Sequence, residues 1–264
     1  MPRFAVVSHE RYGRKKWQRF KSYAFAAADA LVPIVGAELA RTAVSMPLAF
    51  SEQSGHYTLV ALLSPVPGHN LCVGPDGRWL GGPYIPAWLR LYPFRMLPQQ
   101  DTDELVLCLD EESGLVVERD AAGEEFFDRE GKLSPALKAV SEALTVMERS
   151  RILTNLAVAA LAQAGVIRPW QINLRTDQGE KTISGLQHID EAALHALPND
   201  VFTKLRTPLA LPIAYAQMFS EVRLAIFEHL ARLHDQPAPS PIAELPETLD
   251  GLLENLRGDL MRLR

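Results

Sequence analysis

An α+β fold, with a mostly antiparallel β N-terminal half, a helical C-terminal half and a C-terminal amphipathic helix, follows from three features of the sequence. Short Leu- and Val-rich runs bounded by turn residues cluster before about residue 130, helical periodicity dominates after it, and the two kinds of segment do not alternate. Strands first and helices afterwards disfavour the alternation of a doubly wound parallel sheet. A chain of 264 residues makes one large domain or two small ones and buries a sizeable core without disulfides or metals.

The elements follow in order. Residues 1–30 form a basic, aromatic arm, in which Arg3, Arg11, Arg14, Lys15, Lys16, Arg19 and Lys21 face Glu10 as the sole acid before Asp29. Such an arm can dock an anionic surface or a partner. The stronger expectation is a solvated face with Trp17, Phe20 and Phe25 packed on the body, because a basic cluster on an acidic chain compensates charge locally. The main α+β domain spans 31–235. Within it Thr58–Ser64, Asn70–Val73 and Leu105–Asp110 read as strands, and Leu115–Glu118 can pair back on the last through the Ser113–Gly114 turn. Seven prolines between Pro65 and Pro98 force turns, edges and short helices, and Pro75–Asp76–Gly77 is a turn signature. Between Asp101 and Glu130 twelve acids face only Arg119 and Arg129.

Ser134–Pro135 opens a helix as N-cap and first helical residue. Leu133, Leu137, Val140, Leu144 and Met147 give it one apolar face. A second helical stretch runs from Ile152 to Ala164 and stops at Gly165, with Arg149–Arg151 as the place where the two either join or break. Ile183–Ile189 is a short strand after the Asp177–Gly179 turn, Asp190 caps a helix through Leu197, Asn199 or Asp200 caps the next, and a long helix starts near Pro208. Residues 236–264 are a proline linker and a tail helix, whose Leu249, Leu252, Leu253, Leu256, Leu260 and Leu263 make an amphipathic stripe. That stripe either docks on its own body or serves as a helix for a partner or a homodimer.

Composition excludes several functions. The net charge of −5 argues against a nucleic-acid binder. No apolar run is long and uninterrupted enough to span a membrane, and no secretory signal precedes the body, so the expected compartment is the cytoplasm, with Cys72 and Cys108 reduced. Glycine-rich phosphate and dinucleotide loops, the GxSxG elbow and CxxC are missing. The seven histidines lack metal-ligand spacing, so no metal and no cofactor is expected. Both cysteines read as buried, inert thiols.

What remains is Asp76–Phe94, where Trp79, Tyr84, Trp88, Tyr92 and Phe94 put five of the chain's twenty aromatics into nineteen residues, beside Arg78, Arg90 and Arg95. Rigid rings with guanidiniums are the material of binding surfaces. The same residues also suit an aromatic corner that closes the β-region, with Arg90 paired to the acidic stretch. The candidate ligand contacts are Arg90 first, then Trp88, Tyr92, Tyr84, Trp79 and Asp76. Trp79, Trp88 and Phe94 are expected to pack together near a buried Cys72.

The segment Asn70–Phe94, NLCVGPDGRWLGGPYIPAWLRLYPF, resembles the hallmark of the bacterial SapC family. Phe25-Ala-Ala-Ala with Val32-Pro33-Ile34 and Glu38, Met46-Pro-Leu-Ala-Phe, Leu107-Cys-Leu-Asp, Phe126-Phe-Asp-Arg-Glu-Gly and Gly185-Leu-Gln-His-Ile-Asp-Glu follow in the family's order. Leu91 stands where a second Arg is usual, and Met46 where Tyr is usual. The resemblance implies a surface-layer association in the family name, a peptide-transporter label on some members, and gene neighbourhoods holding TonB-dependent receptors, flavin-dependent halogenases and cupin-like proteins. It supplies no catalytic residues. The reading is a non-catalytic cytoplasmic accessory protein that recognises a peptide or protein partner. The alternatives are an enzyme acting on a peptide or small molecule through Asp76–Tyr92, and an exported surface-layer protein.

Overall fold

The computed structural model describes residues 2–99, 104–176, 179–206 and 208–234. The chain begins with β1 (Phe4–Val6), α1 (His9–Tyr12), β2 (Lys15–Trp17), β3 (Leu31–Pro33), α2 (Leu39–Ser45), β4 (Leu48–Gln53) and β5 (His56–Leu62). It continues through α3 (Ala87–Arg90), β6 (Phe94–Pro98), β7 (Leu105–Asp110), β8 (Val116–Glu118) and β9 (Glu124–Glu125). The second half holds α4 (Pro135–Gln163), β10 (Ile167–Thr176), β11 (Gly179–Ile189), α5 (Glu191–His195), α6 (Asn199–Lys204), α7 (Ala210–Ser220) and α8 (Ile226–His234). Short 3₁₀ turns fill Ala24–Ala26, Gly36–Glu38, Glu111–Ser113 and Glu221–Ala225.

Three sheets result, in the orders β1-β7-β6, β8-β2-β9 and β10-β11-β4-β5-β3, with antiparallel neighbours in each. The α+β class read from the sequence is the class observed. Three local expectations are corrected. Leu115–Glu118 does not fold back on β7; its strand β8 pairs with β2 in the register Lys15↔Glu118. Asn70–Val73 is a turn with one isolated bridge, Val73↔Trp79, because the Asn70 amide bonds Ala26 O and Cys72 N in place of a strand neighbour. The second half also carries a long hairpin, β10–β11, where only a short strand was expected.

Helix α4 is one piece. Ser134 caps it by accepting from Leu137 N at 3.2 Å, with Pro135 in the first turn. Its first half puts Leu137, Val140, Leu144 and Met147 into the smaller core, with Trp17, Phe94, Leu109 and Phe126. Its second half puts Ala157, Val158 and Leu161 into the larger core, with Phe50, Leu62, Ile189 and Ile213. Between them lies a polar waist. Ser150 Oγ accepts from Ala37 N at 3.0 Å, and Thr154 Oγ1 from Gly36 N at 2.8 Å. Gly36 is required there, since a Cβ would come within 2.6 Å of Leu209. This waist fixes the 3₁₀ turn that carries Glu38.

The basic N-terminus is built into the same body. Arg11 pairs with Glu111, Arg3 with Glu111 and Glu112, and Arg19 with Glu124, so N-terminal cations meet the acidic stretch. This is the local compensation the composition suggested. Such exposed pairs are individually worth about 0–1 kcal/mol, and burial of Tyr12 and Trp17 does more to hold the segment. The tail expected as a helix over 249–263, with its linker, lies outside the described residues.

Candidate functional site

The Asn70–Pro98 stretch crosses both cores and places the sequence-predicted residues in three settings. Asp76 sits in an exposed turn. It accepts from Arg78 N at 3.0 Å and pairs with the Arg78 guanidinium, while Gly77 takes φ +78. These bonds, the Arg78 amide first, hold the Asp76 carboxyl below the usual carboxylate range. Trp79 packs against Tyr23, ring centroids 5.7 Å apart, beside buried Cys72. Phe94 instead joins Trp17 and Phe126 in the smaller core. The expected Trp79–Trp88–Phe94 cluster is therefore divided, with only Trp88 bordering both cores.

The second setting is enclosed. Glu38, 1 % exposed, accepts from Tyr84 Oη at 2.8 Å, Ala87 N at 2.8 Å and Val35 N at 3.3 Å. Tyr84 Oη in turn accepts from Arg90 Nη2 at 3.1 Å, and the Arg90 guanidinium lies 5.0 Å from the Tyr84 ring centroid. Burial pushes the Glu38 carboxyl up against the pull of its donors and of Arg90. Burial, with Glu38 beside it, also raises the Tyr84 phenol. Sequence reasoning used Glu38 only as a family marker; the available signal was one carboxylate inside the apolar run Leu31–Leu39.

The third setting is half open. Tyr92, whose bond to Pro93 is cis, stacks on Phe25 with centroids 3.9 Å apart and planes 9° from parallel. Phe20 touches Phe25, Tyr92 and Tyr23, and Tyr23 touches Trp79. Five rings from two distant segments thus form one ladder, and all but Tyr23 are partly exposed. Tyr92 Oη reaches Asp110 Oδ2 at 3.4 Å, and burial, then Asp110, raises the phenol. Trp88 is half-buried under the Arg95 guanidinium, 3.9 Å from the ring centroid. Arg95 donates to Phe94 O at 2.8 Å, and burial pulls it down to about 10, so it stays charged at neutral pH. Asp29 and Asp110 act on it electrostatically. Phe25, Arg95 and Asp110 were not singled out as contacts from sequence, because their convergence needs the tertiary fold.

A separate groove of about 580 Å³ is lined by His188, Asp190, Glu191, His195, Met218 and Glu221. His188 Nδ1 faces Glu221 Oε1 at 3.1 Å and its ring stacks on Trp170. Buried Gln217 holds the arrangement, bonding Glu221, Leu48 O and Ile189 N. Among the described residues no group of three His, Cys, Asp or Glu could hold a metal. Nor is any helix among them long and apolar enough to cross a membrane. Burial pushes the Cys72 thiol up to about 12, which makes it a poor nucleophile.

A SapC family model matches residues 7–225. The chain belongs to the SapC family. The matched span takes in all three settings and the groove, and stops short of the tail. No curated protein and no solved structure matches this SapC-family chain.

Proposed function

We propose that this SapC-family chain is a non-catalytic accessory protein that recognises a peptide or protein segment on the aromatic ladder. The observation that carries the reading is the ladder itself: Tyr92, Phe25, Phe20, Tyr23 and Trp79 in continuous ring contact, with a guanidinium-capped Trp88 nearby. Packed rings offer apolar contact area that loses little side-chain entropy on binding. Arg95, itself buried, fixes the Trp88 ring beside the ladder. We place the protein in the cytoplasm, consistent with two free, buried thiols.

A displayed random-peptide library, selected on the full chain, tests the proposal. Enriched peptides should share an apolar side chain and bind at least about tenfold more weakly to Tyr92→Ala and Phe25→Ala at unchanged folding, as expected when a contact worth about 1.4 kcal/mol is removed. No enrichment, or binding indifferent to both substitutions, overturns it.

The enzymatic alternative at Asp76–Tyr92 has less support. Asp76 is exposed with a lowered pKa, Tyr84 is buried, and the Tyr92 phenol is raised, so none is poised to exchange protons near neutrality. The His188–Glu221 pair in its groove is better material for a reaction. Hydrolysis of ester or peptide test substrates that is lost in His188→Gln would move the function there.

A further inference from the structure

We infer that the groove at the end of β11 binds a small organic cation, an ammonium group on a short alkyl chain. It lies where β11 runs into α5 and where α7 gives way to the Glu221–Ala225 3₁₀ turn. Its volume of about 580 Å³ is within the range of about 300–1,000 Å³ usual for ligand sites. Three carboxylates line it, those of Asp190, Glu191 and Glu221. Among the described residues, no Lys or Arg pairs with any of them. Arg168, opposite His188 in the strand register, and Arg223, two residues beyond Glu221, are exposed and stay outside the lining. The N-terminal face differs, since there Arg3, Arg11 and Arg19 meet Glu111, Glu112 and Glu124. A concave surface lined by one sign of charge concentrates ligands of the other.

Two of the carboxylates are fixed in place with one oxygen unspent. Glu221 uses Oε1 for both His188 Nδ1 and Gln217 Nε2, each at 3.1 Å. Asp190 uses Oδ1 to accept from Ala193 N at 3.0 Å. Glu221 Oε2 and Asp190 Oδ2 have no partner among the described residues. Both neighbours of Glu221 are anchored in the sheet. Buried Gln217 bonds Leu48 O and Ile189 N, and the His188 ring lies 5° from parallel on Trp170. Acceptors held in this way take a charged donor at low ordering cost. The kind of cation follows from the spacing. No three His, Cys, Asp or Glu side chains among the described residues converge to hold a metal ion. A ligand that reaches carboxylates on separate elements needs spread donors, as an ammonium with three N–H groups on a flexible stem provides. Ile189, Ala192 and Met218 give its methylenes an apolar wall. The groove shares no residue with the aromatic ladder.

Isothermal titration calorimetry of the full chain with 1,5-diaminopentane tests the inference. Saturable binding should appear with a Kd below about 1 mM. The diol 1,5-pentanediol keeps the chain and lacks the charge, and should bind at least about tenfold more weakly. Glu221→Gln and Asp190→Asn should each weaken the diamine at least about tenfold at an unchanged melting temperature. Gln keeps an acceptor for His188 and Gln217, and Asn caps a helix as well as Asp does. Glu104→Gln, at an exposed carboxylate outside the groove, should leave the affinity as it is. Nα-acetyl-lysine methylamide, titrated in parallel, separates the sources of the amine. Tighter binding than the diamine assigns the groove to a lysine side chain of a peptide, and weaker binding to a free amine. No saturable binding of either amine, equal binding of the diol, or affinity indifferent to both groove substitutions overturns the inference. So does an equal loss in Glu104→Gln, which would mark the binding as non-specific charge attraction.

Discussion

Arg90 and Arg95 lie five residues apart, each beside an aromatic ring and within the field of carboxylates, yet they have different surroundings. Around Arg90 the partners close on one another: Glu38 under the first turn of α3, Tyr84 between carboxylate and guanidinium. Around Arg95 the guanidinium is buried, but its ring Trp88 and the nearby Tyr92–Phe25 stack are half open. Similar ingredients yield a fixed strut in one case and a presenting surface in the other. What decides is whether the neighbouring groups are consumed internally. A buried carboxylate that has lost its donors is costly, whereas a half-exposed ring keeps area for a partner.

Glu38→Ala is the largest perturbation of this contrast. It leaves Val35 N, Ala87 N and Tyr84 Oη without their acceptor and should cost about 3–5 kcal/mol in denaturant unfolding. A loss below about 1 kcal/mol would show that the enclosed cluster is not a strut. The same carboxyl gives a pH test. Because burial raises its pKa, the folded protein keeps the proton to higher pH than the unfolded chain does. Its stabilising contribution is then full below the unfolded carboxylate value and lost as pH rises through the folded one. Glu38→Gln lacks this step, so its melting temperature relative to wild type should rise as pH climbs above the ordinary carboxylate range. A shift the other way would mean that the donors and Arg90 outweigh burial.

Next in size is Arg95→Met, expected to cost about 2 kcal/mol through loss of the Trp88 contact and the Phe94 carbonyl bond. Trp88 should become more accessible to a fluorescence quencher, and unchanged quenching would break the assignment. For Arg90→Ala we expect about 1 kcal/mol, with peptide capture by the ladder preserved. Capture lost at an unchanged melting temperature would instead make Arg90 the contact and move the site toward α3. The smallest effect belongs to Tyr92→Phe. Its hydroxyl bond to Asp110 is long, at 3.4 Å, so stability should change by less than about 0.5 kcal/mol and peptide affinity should hardly move.

Local chemistry made much of the fold legible. The Ser134–Pro135 cap, the Asp76–Gly77 turn, the Leu105–Asp110 strand and the Asp190 cap each depend on neighbours within a few residues. Pairing partners were not legible in the same way, because alternation marks a strand without naming its neighbour. Leu115–Glu118 was recognisable as a strand, but its partner Lys15–Trp17 lies far back in the chain. The site divided similarly. Rings and arginines in Asp76–Phe94 pointed to a contact surface, whereas Glu38, Phe25 and Asp110 contribute only after tertiary folding. Pro86 and Pro93 flank Arg90 and stiffen its segment. The structure also shows what that stiffness serves, since it holds Arg90 over Tyr84.

The stitching of the N-terminus into the later strands has a consequence during synthesis. Phe4–Val6 and Lys15–Trp17 find their sheet neighbours about 100 residues downstream, in Leu105–Asp110 and Val116–Glu118. At about 5–20 residues per second, the ribosome takes roughly 5–20 s to deliver those neighbours, plus the time for them to clear the exit tunnel. Through that interval Tyr12 and Trp17 emerge with nothing native to cover them. A nascent chain stalled shortly before β7 should therefore be a better substrate for hydrophobic-binding chaperones than one released after the first half of α4, which closes the smaller core.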